Sequence, residues 1–206
     1  MRVIGVCGGS GSGKSTVSAC FSMLGGLVLD ADAIYHELID APSPCVDAIV
    51  DAFGREVLAD GKIDRSKLRS IVFRDKEALR RLNMISHAFV GNEIDRRLKA
   101  AKSKGEAFCV IDAPLLLEAG MDAICDFVVA VVAPVETRIE RIVSRDSISP
   151  EAARERISQQ LPDEELYLRC DSVIRNDGDI DDLMRSCEEI LDLLGIQSKK
   201  RSEEHE

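Results

Sequence analysis

The chain has 206 residues, 45% hydrophobic and 31% charged, with no tryptophan and a net charge of −10. That length allows one sizeable core with a small insertion but not two full domains, and the composition excludes general disorder. The acidic balance argues against broad binding to nucleic acid or an anionic membrane, because both need a positive field; an anionic ligand must be met by local basic clusters.

Seven cysteines, Cys7, Cys20, Cys45, Cys109, Cys125, Cys170 and Cys187, form no C-x-x-C pair. They read as small buried hydrophobes of a reducing compartment. His36, His87 and His205 make no ligand pair at zinc spacing, so no structural metal is expected. Apart from Arg2, residues 2–6 are apolar, but glycines from Gly8 onward interrupt them too early for a signal sequence or a membrane span. The expected location is the cytoplasm, with no membrane, nucleic-acid or obligate protein partner.

The first strand is predicted at 2–6 (RVIGV). Directly after it, Gly8-Gly9-Ser10-Gly11-Ser12-Gly13-Lys14-Ser15 fits G-x-x-x-x-G-K-[ST] and opens a helical pattern of Val17, Cys20, Phe21 and Leu24. Strand, glycine loop and helix in this order form a phosphate cradle. Glycines let backbone N–H groups turn toward phosphate oxygens, and the helix aims its positive end at the same charge. Gly9 to Gly13, Lys14, Ser15 and Thr16 are the candidate ATP-binding residues, with Lys14 on the β- and γ-phosphates and the Ser15 hydroxyl on Mg²⁺. No N-K-x-D segment occurs, which favours ATP over GTP.

The second strand, 26–30, ends in Asp30-Ala31-Asp32 at the carboxyl edge of the sheet, where ligands of open α/β folds bind. Asp30 is expected to cap the following helix. Asp32 fits two roles equally on its own residues: base for a substrate hydroxyl, or a first-turn acid favoured by the helix dipole. Residues 41–105 hold no convincing strand and read as a helical insertion. Within it Leu79, Leu82, Ile85 and Phe89, then Val90, Ile94 and Leu98, form two apolar stripes whose register changes near Gly91, as in a long or kinked helix. His87 beside the first stripe reads more readily as a hydrogen-bonded structural residue than as a ligand or base.

Strands at 107–112 and 126–133 follow. Asp112 ends the first of these, in the position of a Walker-B acid beside Mg²⁺, or of a cap. The next helix carries Arg138, Arg141 and Arg145 on one face with no acid three or four residues away, so this face is expected to meet an anion from elsewhere, with phosphate favoured over distant acids. A fifth strand at 172–175 precedes a helix whose stripe of Ile180, Leu183, Met184, Cys187, Ile190, Leu191 and Leu194 ends at Gly195. The polar residues 197–206 are expected to fray. These elements predict a three-layer α/β/α fold of the P-loop NTPase kind, with a five-stranded parallel sheet. The core takes residues 1–40 and 106–196, the insertion about 41–105, and a small lid about 141–165.

Taken together, an ordered set of segments resembles the dephospho-coenzyme A kinase family: VIGVCGGSGSGKST (3–16), LDADAIYHEL (29–38), GKIDRSKLRSIVF (61–73), LNMISH (82–87), IDAPLLLE (111–118), RIVSRD (141–146) and QLPDEELYLRCDSVIRNDGD (160–179). The resemblance implies ATP and dephospho-coenzyme A as substrates, with Mg²⁺. It implies Asp32 as catalytic base, Lys14 and Arg141 as catalytic cations, and Arg145 and Asn176 on the ATP side. It implies an acceptor site that includes Asp32, Arg65, His87 and Leu115. Cys7 stands where the family usually has threonine, Ala88 follows His87 in place of proline, and Leu166 replaces a common basic residue, so no charge is assigned to that position. The rival readings are another small-molecule P-loop kinase, of nucleoside monophosphate or shikimate type, and a non-kinase ATP-dependent switch.

Overall fold

A computed structural model describes residues 1–197. The polar tail expected at 197–206 therefore lies, from residue 198 on, outside the described residues. In chain order the elements are β1 (Arg2–Cys7), α1 (Lys14–Met23), β2 (Leu27–Asp30), α2 (Ala31–Ile39), α3 (Pro44–Phe53), β3 (Leu58–Ala59), β4 (Lys62–Ile63), α4 (Arg65–Val72) and α5 (Lys76–Ser103). They continue with β5 (Phe108–Asp112), β6 (Phe127–Val132), α6 (Val135–Asp146), α7 (Pro150–Ser158), α8 (Asp163–Arg169), β7 (Ser172–Arg175) and α9 (Ile180–Leu193). Two compact units divide the chain, one of Met1–Leu29 with the chain from Ala101 onward, the other of Asp30–Ala100. The α2 helix thus goes with the inserted unit.

The first unit is a five-stranded parallel sheet in the order β2-β5-β1-β6-β7. Its central strand pairs Ile4 with Val110 on one side and with Phe127 on the other. Because β1 sits between strands reached in opposite directions, its carboxyl end is the switch point at which open α/β sheets bind ligands. Strand side chains alternate between faces. Ile4, Val6, Val110, Val129, Val131 and Ile174 point toward α1 and α9, where Val17, Phe21, Leu24, Leu183, Cys187 and Leu191 complete a closed apolar core. Gly5, one residue out of that phase, faces Leu116 and Cys125 on the opposite side.

The predicted strands and observed strands agree to within one residue at each end. The last helix carries its expected stripe, with Leu183, Cys187, Ile190 and Leu191 buried. Asp179 and Asp182 close a reciprocal capping box at its start.

The second unit has its own core of Ile39, Cys45, Val46, Ile49, Phe53, Val57, Ile63, Leu68 and Ala78. Two details differ from expectation. A small antiparallel hairpin, β3 and β4, occurs where no strand was expected. Its turn is Asp60-Gly61, both at positive φ (51° and 77°), a normal hairpin signal, but strands of two residues are too short to show a period. In α5 the first stripe runs through Ala78, Leu82, Ile85 and Phe89, while Leu79 is exposed. The helix continues without interruption through Gly91, and the second stripe of Val90, Ile94 and Leu98 is buried.

Candidate active site

The end of β1 delivers the chain into the phosphate loop. Gly13 caps α1 in the left-handed conformation (φ 89°), and Gly11 is also at positive φ (78°). A side chain at Gly11 would be strained and would also bring its Cβ within 2.6 Å of the Arg138 carbonyl oxygen, so both the turn and the close packing require glycine. Inside the loop the Ser12 N–H donates to the Gly9 carbonyl at 3.1 Å, and the Thr16 and Val17 N–H groups donate to Gly13. Among the described residues, the N–H groups of Gly11, Gly13, Lys14 and Ser15 donate to no protein acceptor. These are the first donors of a helix and its cap, the groups that a phosphate satisfies.

Charged and polar side chains wall the loop. Lys14 Nζ pairs with Asp112 Oδ1, both largely buried, which puts the Walker-position acid beside the loop lysine. Arg141 donates from Nη1 to the carbonyls of Gly11 (3.2 Å) and Ser12 (3.4 Å), and from Nη2 to the Asn176 carbonyl (3.4 Å). Buried Asn176 donates from Nδ2 to the Ser12 carbonyl at 2.7 Å. Arg141 forms no ion pair among the described residues, so its charge is not cancelled by a carboxylate. Leu115, half exposed after β5, lines a cavity that it shares with Cys7, Gly8, Gly9, Gln160 and Leu166.

The basic face of α6 needs correction. Arg138 is buried, and it donates from Nε to the Ser10 carbonyl (3.0 Å) and from Nη2 to Gln160 Oε1 (3.1 Å), with Asp163 Oδ1 at 3.5 Å from Nη1. Burial pushes its guanidinium pKa down, and Asp163 opposes that shift. Arg145 pairs with the adjacent Asp146, which also takes Arg156 from α7; the two guanidinium groups hold the Asp146 carboxyl well below the usual range. Of the three arginines expected to meet an anion, Arg138 and Arg145 are paired with acids among the described residues, and Arg141 is not.

In the second unit, Asp30 caps α2 by accepting from the Ala33 N–H at 3.0 Å, as expected, and Asp32 stands exposed in the first turn. Arg65 is held by the Asp40 carboxylate, with Nη2 at 2.7 and 2.8 Å from its two oxygens. His87 is half-buried on α5.

Sequence reasoning missed Gln160. Its Oε1 accepts from the Ser10 N–H at 2.9 Å and its Nε2 donates to the Ser10 hydroxyl at 3.0 Å. No spacing rule relates it to the loop 150 residues earlier.

No cluster of three His, Cys, Asp or Glu side chains able to hold a metal exists among the described residues. The oxygens of Ser15 and Asp112 are hard donors suited to a divalent cation that completes its shell with phosphate and water. The donor set therefore fits a cation arriving with its nucleotide, as kinases that use ATP generally require.

A phosphate loop at the switch point of a parallel sheet, with a lysine at the spacing its motif requires, an acid at the end of the neighbouring strand and an unneutralised arginine across it, defines a P-loop kinase. A family model described as dephospho-CoA kinase matches residues 2–182. The dephospho-CoA kinase of Corynebacterium diphtheriae is 40% identical over 191 residues, covering 92% of this chain and 96% of its own. Among solved structures, TT1252 from Thermus thermophilus superposes with a TM-score of 0.79 at 31% identity, covering 94% of this chain and 97% of that one. The dephospho-CoA kinase from Campylobacter jejuni gives 0.69 at 28%, covering 94% and 98%. The chain belongs to the dephospho-CoA kinase family. None of its described helices is long and apolar enough to cross a membrane.

Proposed function

We infer that this chain transfers the γ-phosphoryl group of ATP to the ribose 3′-hydroxyl of dephospho-CoA, giving CoA and ADP, the last step of CoA formation. The observation that carries the reading is the set of unspent N–H groups at Gly11, Gly13, Lys14 and Ser15, flanked by Lys14 and Arg141, in a chain whose family match spans residues 2–182.

The loop binds the phosphates through those N–H groups, and Gly9, Ser10, Ser12 and Thr16 complete its wall. Lys14 exchanges its contact with Asp112 for the β- and γ-phosphates. Mg²⁺, when bound, neutralises phosphate charge, with the Ser15 hydroxyl and the Asp112 carboxylate as the oxygens that hold it. Asp32 orients the acceptor hydroxyl and takes its proton, leaving the oxygen to attack the γ-phosphorus in line. Charge then grows on the equatorial oxygens, where Lys14 and Arg141 are needed, and these preorganised cations do not have to rearrange during transfer. Arg145 and Asn176 serve the ATP side, and Arg65, His87 and Leu115 serve the acceptor. The absence of disulfides at all seven cysteines suits the cytoplasm as the place of action.

Purified protein is given Mg·ATP and, separately, dephospho-CoA, a nucleoside monophosphate and shikimate, and ADP release is followed beside acceptor phosphorylation. Dephospho-CoA is expected to be the phosphorylated acceptor. Preference for either rival acceptor, or slow hydrolysis with none phosphorylated, would overturn the reading.

A further inference from the structure

Two thiols meet where the central strand turns into the phosphate loop. Cys7, the last residue of β1, has its Sγ 3.5 Å from that of Cys170, which follows α8 and caps it through an N–H donated to Leu166. Five of the seven cysteines are buried, and Cys125 and Cys170 are the two that reach the surface in part. We propose that Cys7 and Cys170 form a peroxide-responsive thiol pair whose closure to an intramolecular disulfide disables the phosphate loop.

The sulfurs need to approach by only about 1.5 Å to reach the bonded separation. Reactivity favours Cys170 over the other reachable thiol. The Cys125 thiol is pushed up to about 12, first by burial and then by Asp122, Asp126 and Asp171, so it stays protonated and slow. The Cys170 thiol is shifted down, chiefly by its sulfur contact with Cys7 and in smaller part by Arg169, against burial and the Asp171 and Asp122 carboxylates. Cys7 is shifted up by that same contact and by burial, so it stays protonated until Cys170 has been oxidised.

Cys170 sulfur attacks hydrogen peroxide. An S–O bond forms, the O–O bond breaks, and water leaves with the thiol proton. Cys7 sulfur then attacks the sulfenic sulfur; the S–S bond forms, the S–O bond breaks, and the Cys7 proton departs in a second water. The two sulfurs lose two electrons between them and the peroxide gains them.

Gly8 and Gly9 follow Cys7 directly, and α8 reaches the loop through Asp163 on Arg138 and so on the Ser10 carbonyl. Any part of the approach that side-chain rotation does not supply passes to the backbone beside Gly8, where N–H···O contacts tolerate only a few tenths of an ångström. The disulfide itself is independent of the kinase reading. Its effect on turnover rests on that reading, so the two are measured apart.

The full chain is titrated with hydrogen peroxide without added thiol. Crosslinked peptides are mapped by mass spectrometry, and affinity for a fluorescent ATP analogue is measured together with turnover. The Cys7–Cys170 crosslink is expected before any oxidation of Cys125, with affinity and turnover falling about tenfold and recovering in dithiothreitol. Cys170→Ser, and independently Cys7→Ser, should keep their own affinity through the same treatment. Oxygen gained at Cys125 or Cys170 without the crosslink, or a complete crosslink with unchanged affinity, would overturn the proposal. A protein that crosslinks and loses affinity but never phosphorylates dephospho-CoA would count against the kinase reading instead.

Discussion

Gln160 grips Ser10 from both sides, accepting its backbone N–H at 2.9 Å and donating to its hydroxyl at 3.0 Å. The same Gln160 oxygen takes Nη2 of buried Arg138, whose Nε holds the Ser10 carbonyl. One residue of the phosphate loop is therefore fixed at its N–H, its carbonyl and its side chain by residues from α6 and the connection after α7. Removing the amide leaves a buried guanidinium and a loop N–H short of an acceptor, at about 1–3 kcal/mol. Gln160→Ala is expected to raise KM for ATP about tenfold. Its kcat should fall less, because no charge of the transition state is touched, and Gln160→Glu should restore part of the affinity. Steady-state kinetics with varied ATP check this, and an unchanged KM would show that the loop holds its shape unaided.

Asp32 carries the acceptor side of the proposed chemistry. Asp32→Asn keeps the size and the exposed first-turn position but loses the basic oxygen, so kcat is expected to fall about 10²- to 10⁴-fold while ATP affinity stays within about twofold. Turnover on dephospho-CoA beside direct ATP titration makes the comparison. Near-normal turnover would return Asp32 to a helix-start role.

Gly91 lies in the interior of a 28-residue helix, and a Cβ added there would meet nothing within 4 Å among the described residues. Glycine costs about 0.5–1 kcal/mol relative to alanine in such a position. Gly91→Ala is therefore expected to raise Tm by about 1–4 °C, measured by thermal unfolding. A lowered Tm would mean that alanine meets an obstruction.

The sheet could be read from the sequence because each buried strand is a run of Val, Ile and Leu bounded by turn residues. The phosphate loop was readable because its chemistry fixes both residue types and spacing. Asp30 was readable as a cap because its partner is three residues away. The arginine face misled because the i±3 and i±4 rule sees neither an adjacent residue nor a partner outside the helix. Arg138 finds Asp163 25 residues later, and Arg145 reaches Asp146 at the last turn of α6, where Ser147 adopts the left-handed conformation and the helix ends. The stripe of α5 was misjudged by one residue because Leu79 is the larger hydrophobe, whereas the core accepts small Ala78. Gln160 opened one of the segments that carry the family resemblance, but nothing in that segment showed its role, since a lone glutamine has no periodicity and acquires its role only when the fold brings it to Ser10.

The pH dependence of stability has one identifiable source in α5. Glu93 accepts from Arg96 and Arg97, and these bonds, the one from Arg96 foremost, lower its carboxyl from 4.5 to about 2 against a desolvation penalty. Its contribution is complete above the unfolded value near 4.5 and is lost as pH falls through the window down to about 2. Glu93→Gln is expected to lower Tm at pH 7 by a few degrees and to narrow its gap to the parent protein as pH falls from 5 to 3, with solvent screening keeping the effect on the order of 2–4 °C. Melting curves across that range decide it, and a gap that widens on acidification would contradict the assignment.

The most direct test of the central claim follows the label from [γ-³²P]ATP and locates it on the product. Incubation with dephospho-CoA should place the label on the ribose 3′-hydroxyl, in amounts equal to the ADP formed. Label released as inorganic phosphate, or carried at another position of the acceptor, would contradict the account.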